Sequence, residues 1–161
     1  MTLLDHFNKE LESMIGKECW AIVGGEGTGS VISVNIGARY PRDRSLHNPY
    51  VSELVRHFTA EYNLMIYSPW RIESCNAVLC GGHHSNDIDG PYQTSFEQVI
   101  NRKLIDVQCV SPLLDLRLFF EGGICLFVFF ALIGIDEGEC YWLGSNSCCY
   151  PIGFDGRLNK V

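Results

Sequence analysis

The residues best equipped for chemistry lie between positions 75 and 89. Cys75, Cys80, His83, His84, Asp87 and Asp89 put two thiols, two imidazoles and two carboxylates into one stretch. Zinc is held by thiolates and imidazoles, and Cys80-x2-His83 has ligand spacing. A closed site needs a second short-spaced couple, and Cys148-Cys149 is the one candidate. Adjacent cysteines chelate one ion poorly, so the expectation is no metal. A nucleophilic Cys80 would need a lowered thiolate pKa, a histidine base and an orienting group. No spacing in the chain fixes that arrangement. The stretch CGGHHSNDIDGPYQ (80–93) is therefore expected to be a solvated polar loop, with no catalytic residue and no cofactor. A small enzyme or ligand-binding domain built on loop 75–89 is the alternative.

Other motifs carry less. GGEGTGS (24–30) has the glycines of a phosphate loop, but lacks the lysine, and a strand pattern follows it instead of a helix. It reads as a flexible hairpin loop. No GxSxG elbow is present. The exposed carboxylates are more suggestive. Asp87 and Asp89 sit in the long loop, and Asp136, Glu137 and Glu139 in a turn before Tyr141. With 19 acidic against 12 basic residues, and a net charge of -7, they suit a cationic protein partner. No stretch interleaves aromatics with Lys or Arg, so no nucleic-acid partner is expected.

The elements that would position these residues follow from periodicity. The 161 residues are 47% apolar and 19% charged, enough for one domain with a real core. Leu3, Leu4, Phe7, Leu11, Met14 and Ile15 form one stripe of a helix over 2–15, with Thr2 as cap and Gly16 as stop. Strands are expected at 17–23, 30–36, 64–67, 70–72, 105–110, 113–120, 124–133 and 140–143. A short helix is expected over 51–61, and a second one from Thr94 with Glu97 at the reciprocal capping position. Residues 38–50 read as a polar loop. The run Ile124–Ile135 is too short to span a bilayer as a helix. The N-terminus lacks the features of a signal peptide, and the eight cysteines are expected to be reduced thiols in a cytoplasmic protein, with no membrane partner.

The two halves of the chain can be laid over each other. SVISVNI (30–36) matches PLLDLRL (112–118), LMIY (64–67) matches LFVF (126–129), and WRI (70–72) matches YWL (141–143), with Trp70 and Trp142 taken as counterparts in the core. The expected fold class is α+β, mainly antiparallel β, in one domain over 1–161. Repeated helix-plus-β halves would span 1–80 and 94–156. Phe119, Phe120, Phe127, Phe129 and Phe130 are expected to be buried on both faces of their strands.

The segments GTGSVISVNIG, LMIYSPWRIE and LDLRLFFEGGICLFVF, with the aromatic-Trp-Leu strand, resemble small bacterial proteins of unknown function. Among these are immunity proteins of polymorphic toxin and contact-dependent inhibition systems. The resemblance implies a cytosolic, non-enzymatic, acidic protein that binds and occludes a toxin. It carries over no functional residues.

Overall fold

The computed structural model describes residues 1–25, 27–82, 84–110, 114–130 and 138–161. Helix α1 (Leu3–Ser13) is set by its sequence at both ends. The Thr2 side chain accepts from the Asp5 N–H at 3.2 Å, and Asp5 Oδ2 accepts from the Thr2 N–H at 2.6 Å, a reciprocal capping box. Gly16 follows at φ 85°. Strands β1 (Glu18–Val23) and β2 (Ile32–Pro41) form an antiparallel pair, and β2 runs on where a polar loop was expected. Helix α2 (Glu53–His57) is one turn long, not eleven residues. Phe58, Thr59 and Ala60 instead pair with Pro41, Tyr40 and Arg39, so β3 (Phe58–Ile66) starts early. The ladder to β2 overrides the local helical periodicity.

Strands β4 (Trp70–Ser74) and β5 (Ala77–Gly81) make a hairpin, so part of the expected loop is an edge strand. Helix α3 (Pro91–Val99) begins before Thr94. Gly90 is its N-cap and Pro91 its first residue, where a missing N–H costs nothing, and Thr94 lies inside the helix. Strands β6 (Arg102–Val110), β7 (Asp115–Phe120) and β8 (Ile124–Val128) form a meander with a tight turn at Glu121–Gly123. Gly122 and Gly123, at φ 78° and 74°, supply its left-handed backbone. Strands β9 (Glu139–Ser145) and β10 (Cys149–Gly153) close the chain. The expected strand segment 131–133 lies outside the described residues.

The ten strands of the described residues join in one antiparallel sheet, in the order β10-β9-β3-β2-β1-β6-β7-β8-β4-β5. Exchanging β1–β5 with β6–β10 leaves that order unchanged. The last two strands of each half are added to the other half: β4 pairs with β8, and β9 with β3. Glu18 pairs with Lys103 at the centre. On one side Leu104 N–H donates to Lys17 O and Gly16 N–H to Leu104 O; on the other, Asn101 N–H donates to Cys19 O. The sheet curls around one core drawn from all its strands and from both long helices. Phe7 and Leu11 of α1 with its C-cap Met14, and Tyr92, Phe96 and Val99 of α3, sit at a constant sequence offset and are all buried.

Two hydrogen bonds tie the curled ends together. Trp70 Nε1 donates to Ser30 O at 2.6 Å, and Tyr141 Oη donates to Leu114 O at 2.7 Å. On β9 it is Tyr141, and not Trp142, that makes such a bond. Trp142, half-buried, lies on the opposite face of β9, because side chains alternate along a strand. Val34 and Leu116 are both fully buried in the one core. The phenylalanines are not all enclosed: Phe120 is buried, while Phe119, Phe127, Phe129 and Phe130 are half-buried. Among the described residues, no helix is long and apolar enough to cross a membrane.

Candidate functional site

The Cys/His stretch is split by the β4–β5 hairpin. Cys75 lies in the exposed turn, 3.7 Å from Gly123 O. Cys80 points the other way, into the core. Burial pushes its thiol up, against the opposing pull of Ser95 and the Gly81 backbone. His84 Nδ1 accepts from the Gly81 N–H at 2.9 Å and holds the turn after β5. His83 lies outside the described residues. Among the described residues, no three His, Cys, Asp or Glu side chains gather as a metal site.

Of the expected protein-binding acids, Asp87, Asp89 and Glu139 lie among the described residues. Asp87 and Asp89 are exposed in the segment between β5 and α3. Ser85 Oγ donates to Asp87 Oδ2 at 2.6 Å, and Asp87 O accepts from the Gly90 N–H at 2.8 Å. That segment is tied down further by Asn86, whose Nδ2 donates to Gly25 O at 2.7 Å. So the GGEGTGS loop acts as an anchor for the acidic segment. Glu139 is not in a solvated turn. It is the half-buried first residue of β9, paired with Gly153. Asp136 and Glu137 lie outside the described residues.

Sequence reasoning missed an open cleft of about 530 Å³ between α1 and the β9–β10 turn. His6, Lys9, Glu10 and Ser13 reach it from one face of α1, since they recur at helical spacing. The Cys148 thiol donates to Glu10 Oε1 at 3.5 Å and lies within 3.7 Å of the Ser145 and Ser147 hydroxyls. Burial, with Cys148 and Glu10 nearby, pushes the Tyr150 hydroxyl up to about 12. At the far end, Ser13 Oγ and Tyr62 Oη are hydrogen-bonded at 2.8 Å, and Lys17 Nζ pairs with Glu61 Oε1 at 2.9 Å. Along the cleft, Glu10, Ser145, Ser147 and Cys148 are thus joined to one another, as are Ser13 and Tyr62.

A second missed feature lies on the outer face of the sheet. Arg117, Phe127 and Arg71 are register partners across β7, β8 and β4. Both guanidinium groups lie 5.1 Å from the Phe127 ring, and Arg71 is also 4.9 Å from that of Phe129. The two rings stack at 6.0 Å. The signal was present as the alternation Asp115-Leu-Arg-Leu-Phe119, which puts Arg117 and Phe119 on one face. The neighbours from β4 and β8 were invisible without the strand order. No family model matches this chain, and no curated protein or solved structure matches it either.

Proposed function

We propose that this chain is a cytosolic, non-enzymatic protein-binding protein of the immunity type, which binds and occludes a cationic toxin domain. The observation that carries the reading is the acidic segment after β5. Asp87 and Asp89 are exposed, in a loop held by Ser85 and by the Asn86 anchor, on a chain of net charge -7. Such a surface attracts a cationic partner over a Debye length, and the fixed backbone limits the ordering cost of binding. Glu139, with Asp136 and Glu137 just before it in sequence, would extend the acidic contact.

We also read the chain as two copies of one helix-plus-five-strand motif with exchanged terminal strand pairs. The invariant strand order, the shared bulge at Cys19/Ala21 and Leu104/Asp106, and the paired Trp70 and Tyr141 hydrogen bonds support this. On this reading Ile32 and Ile36 correspond to Leu116 and Phe120. A duplicated frame gives a rigid platform on which loops can vary without disturbing the core.

The test is titration against the C-terminal domain of the protein encoded by the adjacent upstream gene. A one-to-one complex that abolishes the domain's toxicity, and whose association slows with salt and in Asp87→Asn/Asp89→Asn, is the expected result. No complex, or an association rate indifferent to salt, would overturn it.

A further inference from the structure

The outer faces of the two halves differ. In the first half, the outer ends of β2 and β3 and the connection between them form an arm over residues 38–60. Its residues Val51, Val55, Phe58 and Ala60 pack on Trp20 and Ala21, leaving Trp20 6% exposed. In the second half the corresponding connection is the short turn Glu121–Gly123. Ile105, which follows Leu104 as Trp20 follows Cys19, is 54% exposed. The bare face continues through Phe119 and Phe127 to Phe129. Arg71 is paired with Glu73. Arg117 is exposed, stacks on Phe127, and has no carboxylate within 4.0 Å among the described residues.

We propose that this face, centred on Phe127 between Arg71 and Arg117, is a docking surface for a partner protein whose contacting segment carries an apolar side chain flanked by a carboxylate. The proposal rests on the protein-binding reading only in requiring a protein partner. Three observations specify the occupant. The equivalent face of the first half is covered by a short helix, α2, that inserts Val55, so an apolar segment fits this geometry. Arg117, with no carboxylate within 4.0 Å among the described residues, can take one from a partner. Aromatic and arginine side chains in contact are the composition of interface anchors. Asp106 on β6, Asp115 on β7 and Glu73 on β4 add negative charge to this part of the sheet and disfavour a polyanion. Net charge then steers the encounter from a distance, while this face holds the complex once formed.

The experiment is panning of a phage-displayed random peptide library on the full chain. Recovered peptides should combine an aromatic or aliphatic residue with Asp or Glu, and lose binding by about tenfold or more in Arg117→Glu and in Phe127→Ala. Arg117 is exposed, so its replacement should leave the thermal midpoint unchanged and separate binding from folding. No enriched peptide, or peptides indifferent to both variants, would overturn the proposal. Oligothymidine that binds the chain and is released by Arg117→Glu would also overturn it, assigning the face to nucleic acid. A toxin domain bound normally by Arg117→Glu and Phe127→Ala would reject this surface while leaving the immunity reading intact.

Discussion

Trp20 and Trp70 are both buried, yet only one has its N–H satisfied. Trp70 Nε1 donates to Ser30 O, whereas Trp20 Nε1 is buried with no hydrogen-bond partner among the described residues. A buried unpaired donor carries its full desolvation cost. Trp20→Phe is therefore expected to change stability by less than about 1 kcal/mol, since the packing loss is offset by removal of that donor. Trp70→Phe should cost roughly 2–3 kcal/mol, because it orphans a carbonyl and shrinks a core ring. Urea unfolding of the two variants checks both. The cysteines give a second residue-scale prediction. Burial pushes Cys19 up to about 12 and Cys109 and Cys125 up to about 11, whereas Cys75 is exposed. Reaction of the native protein with a thiol-specific disulfide reagent should show one fast phase from exposed Cys75, absent in Cys75→Ser. A fast phase that survives this substitution would contradict the placement of the hairpin turn.

At the scale of elements, the Lys17–Glu61 pair joins the start of β1 to β3. Burial alone would raise the Glu61 carboxyl, but the Ala38 N–H and Lys17 outweigh it and lower it. The hydrogen bond to Glu61 raises Lys17. A lowered carboxyl contributes stability above its unfolded pKa, which is lost as pH falls through its folded one. A raised amine contributes below its unfolded pKa, and that is lost as pH rises through its folded one. The pair should thus stabilise from about pH 5 to about pH 10, and Glu61→Gln should flatten the acid side of the stability profile. Denaturant midpoints at pH 4 and pH 7 decide it. These elements also mark how far the sequence could be read. α1 and the strand phases were readable because one-sided burial imprints a period on apolar residues. β5, the run of β2 to Pro41 and the early start of β3 were not, because ladder partners far along the chain define them. The acids at 87 and 89 were readable as exposed. The Arg71–Phe127–Arg117 row was not, since it exists only through the pairing of three strands that are not all consecutive.

At the scale of the whole molecule, the exchanged strand pairs make each half depend on the other. β4 and β5 have no place in a sheet without β8, and β3 lacks its outer neighbour without β9. A fragment of residues 1–86 is therefore expected either to stay unfolded or to dimerise, with β4 of one copy taking the place of β9 beside β3 of the other. Sedimentation of the fragment distinguishes these from a folded monomer, which would contradict the exchange. The same feature bears on synthesis. As the chain leaves the ribosome, Trp70 and Ile72 emerge long before Leu126 and Val128, the residues they lie against in the ladder. The nascent first half must wait with an apolar strand pair unpaired and a sheet edge open, a state that invites holding by a chaperone. Translation through the second half is the step that ends that wait, and slowing it there should raise the fraction lost to aggregation.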